Sequence, residues 1–171
     1  MPYYTTSSLI GVDFNTVGDT QLFALGTRAH GSSGTEWTYC RANGVITAFK
    51  AVIINGTHTA GMASAGDLLG TVTAGRLGWA QTTFATSEYG WIPINGVVYV
   101  MMTGSVTLTV SGVPMAIGAS AVSTGMTIQS SASGTVQGIT PYAYGSGGGQ
   151  TATATIMQCI LSWPRIGTPH N

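Results

Sequence analysis

Charge is what this sequence most lacks. Ten of its 171 residues are formally charged, five basic and five acidic, or 6%, where an ordinary globular domain carries about 25%. A monomer normally covers its exterior with charge, and a net charge of zero with so few charges of either sign favours association. The exterior is therefore expected to be Thr, Ser, Gly and Asn, with much of it packed on other subunits. The five cations, Arg28, Arg41, Lys50, Arg76 and Arg165, are scattered, so sequence neighbours build no basic patch and no nucleic-acid partner is expected.

Other shortages narrow the function further. No stretch approaches 18 uninterrupted apolar residues, and Met1 to Ile10 lack a basic start followed by an apolar run, so neither a membrane partner nor an export leader is expected. Only three histidines occur, His30, His58 and His170. None is spaced two, three or four from another, as ligands on one strand or helix would be, so no metal site is expected and the histidines read as exposed polar residues. The five acids, Asp13, Asp19, Asp67, Glu36 and Glu88, sit at turns and strand ends and read as structural. No Gly-x-Ser-x-Gly elbow in a strand-to-helix setting and no glycine-rich phosphate cradle is present. The expectation is a protein that is not an enzyme and needs no cofactor. Two cysteines, Cys40 and Cys159, lie far apart in apolar β-like contexts and read as buried thiols, a disulfide being the alternative.

What is present points to β-structure. The chain is 44% hydrophobic, has 25 glycines, and is rich in Val, Ile, Thr and Tyr, which argues against disorder. Residues 1–20 mix Tyr, Thr, Ser and Gly without a period and read as an extended N-terminal arm; residues 21–171 read as a single β domain. Alternation in Glu36–Ala42 is that of a half-buried strand, with Trp37, Tyr39 and Arg41 on one face and Glu36, Thr38 and Cys40 on the other. Lys50–Ile54 reads as a strand ending in an Asn55-Gly56 turn, and the β-rich runs either side of Asn95-Gly96 read as the chain's strongest hairpin. Pro93 puts its strand at an edge or a bulge. Further strands are expected at Leu68–Val72, Gly78–Thr82, Ser105–Ser111, Ala119–Thr124, Thr135–Ile139 and Thr151–Trp163; Gly145–Gly149 reads as a flexible loop. Ala60–Leu69 is the one candidate for a short helix. Turns every eight to twelve residues give the fold class: all-β, a compact antiparallel sandwich or barrel.

Aromatic residues are the remaining candidates for function. Strand Trp and Tyr serve most often as core or interface anchors; a sugar-stacking platform around Tyr89-Gly90-Trp91 is the alternative. Tyr3, Tyr4, Phe14, Trp37, Tyr39 and Trp91 are the expected contact residues.

The run Phe23–Ala42, continuing through Asn43-Gly44-Val45-Ile46-Thr47, resembles the opening of small capsid decoration, or cement, proteins of tailed bacteriophages. Gly78-Trp79-Ala80-Gln81, Glu88-Tyr89-Gly90-Trp91-Ile92 and Gly96–Val100 are similar to later stretches of that group, so the resemblance covers about residues 21 to 140. It implies a many-copy subunit on the virion exterior, made in the host cytoplasm, that binds the major capsid protein and braces the shell. It also implies a homo-oligomer, a trimer being favoured. The alternative is a tail or fibre-type module that recognises a host surface glycan.

Overall fold

A computed structural model describes residues 12–31, 34–63, 75–102, 106–107, 116–117, 128–129, 135–141, 151–152 and 155–167. Among these, strand is the only regular structure. The strands are β1 (Arg28–His30), β2 (Glu36–Ala42), β3 (Ala51–Ile54), β4 (Thr59–Met62), β5 (Arg76–Trp79) and β6 (Tyr89–Met102). They continue as β7 (Val106–Thr107), β8 (Ala116–Ile117), β9 (Ile128–Gln129), β10 (Thr135–Pro141), β11 (Thr151–Ala152) and β12 (Thr155–Gly167). Ten of the twelve form one sheet in the order β12-β10-β8-β9-β6-β2-β4-β3-β5, with β1 added on β2 and β12 also paired to β6; β7 and β11 form a small second sheet. The large sheet curls into a half-barrel, and the all-β expectation holds. It is mixed, because β2 runs parallel to β4 and β6 parallel to β9, while every other pairing is antiparallel.

β6 is the spine of this arrangement. Its first half pairs with β2, from Arg41↔Tyr89 to Glu36↔Asn95, and its second half pairs with β12, from Leu161↔Gly96 to Thr155↔Met102. The expected hairpin at Asn95-Gly96 is therefore not formed, and the strand runs straight through. The positive φ that an Asn-Gly pair signals is real, at +90° on Gly96, but it serves a change of partner. A Cβ on Gly96 would lie 2.5 Å from the Cα of Thr35, so the crossing backbone of the β1–β2 connection requires glycine here. The register slips one step earlier, between Pro93↔Trp37 and Asn95↔Glu36, which places Pro93 at the bulge where a missing N–H is tolerated.

β3 and β4 do form a hairpin after Ile54, but its positive φ falls on His58, at 59°, and not on Asn55 or Gly56. Asn55 organises the turn, its Oδ1 accepting from the N–H of Thr57 (3.0 Å), the N–H of Thr59 (2.9 Å) and the hydroxyl of Thr57 (2.7 Å). The short helix expected over Ala60–Leu69 is overturned at its start, where Thr59–Met62 is β4, held between β2 and β3. The stretches 68–72 and 119–124 and the glycine loop at 145–149 lie outside the described residues.

The core sits inside the curl. Cys40, Ala42, Ile46, Val52, Ile54, Ala60, Ala80, Phe84, Ile92 and Ile94 form one buried cluster, closed by β5 packing back on β6 and β12. β2 is buried on both faces rather than half-buried: Cys40 and Ala42 join this cluster, while Tyr39 joins a second cluster on the opposite face. Burial of Glu36, at 6% exposure, is compensated by its ion pair with Arg28 at 2.7 Å.

Candidate interaction surfaces

Pleating of β2 and β6 brings Trp37, Tyr39 and Arg41 onto the same face as Pro93, Trp91 and Tyr89, since these residues are direct partners across the ladder. The chain segment before β1 lies over this face. Phe14 stacks on Trp37 with ring centroids 4.7 Å apart and planes 10° apart, and meets Trp91 edge-on at 5.6 Å. Phe23 packs on Tyr39 and Trp91, both at 5.3 Å. Asp13 shapes the turn that carries Phe14, accepting from the N–H of Asn15 at 2.9 Å and the hydroxyl of Thr16 at 3.0 Å. A bridge between Gly18 and Tyr89 fixes the far end of the segment.

Four of the expected contact residues, Phe14, Trp37, Tyr39 and Trp91, thus belong to one aromatic cluster; Tyr3 and Tyr4 lie outside the described residues. Burial divides the four. Tyr39 is 2% exposed and Trp91 1%, both covered by this chain itself, so their role as direct contacts is corrected to that of a foundation. Phe14 and Trp37 are half-buried and keep surface for a partner. Residues 12–20, the second part of the expected arm, pack on their own domain.

A groove of about 310 Å³ remains between this segment and the sheet, lined among others by Asp13, Asp19, Phe23, Tyr39 and Tyr89. It has the site chosen from sequence for sugar stacking, but its rings are occupied. Tyr89 stacks on Tyr39 (6.3 Å, 15°), and the Arg41 guanidinium lies 5.8 Å from the Tyr89 ring centre. With Trp91 buried as well, the groove offers a saccharide no open Trp or Tyr face of the kind such platforms use.

Comparison of the chain with protein-family models, with curated proteins and with solved structures gives no match.

A second surface was missed by sequence reasoning. Along β6 and β12 the partners Val97↔Ile160, Tyr99↔Gln158 and Met101↔Ile156 point to one side, and Val98, Val100, Cys159 and Leu161 to the buried side. The outward set is apolar but for Gln158, carries no charge, and remains open, with Tyr99 50% and Ile156 46% exposed. Only Phe49, edge-on to Tyr99 at 6.4 Å, shields part of it. The false hairpin concealed this surface, because folding the chain back at Asn95-Gly96 would have paired Val97–Met102 with Tyr89–Ile94.

Remaining polar groups are structural. Glu88 Oε2 accepts from the Ala85 N–H at 2.6 Å, Asp19 from the Thr20 hydroxyl at 3.1 Å, and Glu36 pairs with Arg28. Among the described residues no group of three or more His, Cys, Asp or Glu is placed to hold a metal ion, and no helix is long and apolar enough to cross a membrane. Cys40 and Cys159 are free and buried. They stand opposite Gly90 and Val98 of β6, eight positions apart, or roughly 26 Å at about 3.3 Å per residue. A disulfide needs Cα atoms within about 7 Å, so these two are not partners.

Proposed function

We propose that this protein is a structural subunit of a phage virion, which decorates the outer surface of the capsid by binding the major capsid protein and stabilises the shell. The observation that carries this reading is the uncharged, apolar outward face of β6 and β12 on a chain with 6% charged residues. Exposed apolar sheet surface of this kind marks an association site, and Leu22 (65% exposed) and Val45 (63%) add apolar surface elsewhere. The resemblance of residues 21 to 140 to cement proteins supplies the identity of the partner. Self-association into a homo-oligomer, a trimer being favoured, accounts for a surface that charge does not protect.

The test is the solution mass by light scattering on a sizing column, alone and mixed with capsids lacking the protein. A discrete oligomer that binds capsids, and whose binding is lost in Tyr99→Asp or Ile156→Asp, supports the reading. A lasting monomer that ignores capsids overturns it.

A further inference from the structure

A second, smaller pocket of about 150 Å³ lies between the β3–β4 turn, β2 and the start of β5. It is lined by Thr38, Ile54, Asn55, Gly56, His58 and Arg76. We infer that it is a binding site for a single oxyanion group, a carboxylate or a phosphate.

The polar lining points toward hydrogen-bond donation. No aspartate or glutamate contributes to it. The Asn55 Oδ1 is consumed by three donors of its own turn, which fixes the orientation of the carboxamide and leaves its NH₂ as the group able to serve the pocket. Thr38 is 3% exposed, its hydroxyl makes no hydrogen bond to any described residue, and it opens on this space. A buried hydroxyl in that condition needs a partner. Arg76, opposite Ile54 on β5, brings a positive charge and a planar donor set suited to oxyanions.

His58 is held in place by backbone and packing together. Its φ of 59° is one that side-chain-bearing residues seldom adopt. Its N–H donates to the Asn55 carbonyl at 2.9 Å, and its carbonyl accepts from the Arg41 N–H at 3.1 Å. Its ring lies flat on Gly26, where a Cβ would meet three ring atoms at 2.5 to 2.8 Å. It is half-buried, not the freely exposed histidine expected from sequence. The nearest other charges, Arg28 and Glu36, neutralise each other at 2.7 Å and do not line the pocket.

Volume selects the ligand. Sites for drug-sized molecules begin near about 300 Å³, so half that space admits one small charged group and not a nucleotide or a sugar. The same donors serve the carboxylate of an acidic side chain on a partner and a free phosphate. This site does not depend on the capsid reading.

The test is an NMR titration of the full-length protein with sodium acetate and with sodium phosphate at fixed pH and ionic strength, sodium chloride being the reference. The expected result is a saturable shift of the Asn55 side-chain NH₂, the Gly56 amide and the His58 ring proton with at least one of the two. Arg76→Gln, at an exposed strand position, weakens it at least about tenfold. His58→Asn, which tolerates the same φ, weakens it as well. Saturation by acetate alone identifies a carboxylate ligand, and by phosphate alone a phosphate. Shifts that rise linearly and match chloride, or that Arg76→Gln leaves unchanged, overturn the proposal.

Discussion

The side-chain amide of Gln81 binds the main chain of Tyr99 as a strand would, its Nε2 donating to the Tyr99 carbonyl at 3.0 Å and its Oε1 accepting from the Tyr99 N–H at 2.9 Å. β2 has left β6 at this point, and the edge it vacates is closed by Gln81, by the Phe49 carbonyl accepting from the Met101 N–H at 2.8 Å, and by the Thr35 hydroxyl donating to the Val97 carbonyl at 3.3 Å. Unpaired strand edges invite pairing with other chains. Gln81→Ala is therefore expected to destabilise the fold by about 1–3 kcal/mol and to raise its tendency to aggregate. Urea denaturation and light scattering read the two effects separately. Unchanged stability and solubility would show that the edge needs no cover.

Gly96→Ala tests the crossing of β6 beneath Thr35. The substitution meets both an unfavourable φ of +90° and a backbone atom at 2.5 Å, which cannot swing aside as a side chain can. A loss of at least about 2 kcal/mol is expected from conformational strain and overpacking together. Gly44→Ala, where an added Cβ meets nothing within 4 Å, is the matched control and costs less than about 1 kcal/mol. Equal midpoints in denaturant for the two variants would contradict the account.

Phe14→Ala removes the ring stacked on Trp37. Aromatic pairs contribute about 0.5–1.5 kcal/mol beyond the area they bury, and a half-buried phenylalanine adds roughly as much again. The expected outcome is a loss of about 2 kcal/mol together with a red shift of tryptophan fluorescence as Trp37 becomes wet. A variant with the wild-type spectrum would mean that the segment at 12–20 is not held by this contact.

Alkaline pH is expected to destabilise the protein through its thiols. Burial pushes both Cys40 and Cys159 up to about 12 from an ordinary 9.0. Between those values the unfolded chain has released thiol protons that the folded chain retains, so stability falls as pH rises, by up to about 1.4 kcal/mol per unit for each thiol. Lys50 acts in the opposite sense below 10.5, because burial lowers its folded pKa and the unfolded chain there holds the extra proton. Above pH 10.5 the lysine contributes no further change, and the two thiols act unopposed. Denaturation midpoints should therefore decline between pH 10.5 and 12, and Cys40→Ala in a Cys159→Ala background should flatten that decline. At pH 8 neither thiol should react with a thiol reagent until the chain is unfolded.

Sequence reasoning read the fold where local pattern decides it. Alternation in Glu36–Ala42 placed Trp37, Tyr39 and Arg41 together, and Pro93 marked the bulge, because both follow from the pleat and from a missing N–H. It failed where long-range pairing decides. Thr59-Ala60-Gly61-Met62 has no period of its own and is a strand only because β2 and β3 flank it. Asn95-Gly96 reports a positive φ truthfully, but a tight turn and a partner change need the same backbone, and only the passage of Thr35 distinguishes them. Of the candidate site, the aromatic cluster was legible through its residue types. The degree to which the chain covers Tyr39 and Trp91 was not, since Phe14 and Phe23 reach them from outside the strand pattern.

A spine strand shared between two distant partners also sets a timetable for synthesis. The N-terminal half of β6 finds β2 already made, whereas its C-terminal half waits for Thr155–Leu161. At roughly 5–20 residues per second the ribosome needs several seconds to cover that interval. Throughout it Val98 and Val100, which end fully buried, have no inner partner from β12, and one edge of the strand is open to neighbouring nascent chains. Gln81 and Phe49 precede β6 in the chain and can close the opposite edge at once, so the period of greatest risk for misassembly is confined to a single side of a single strand.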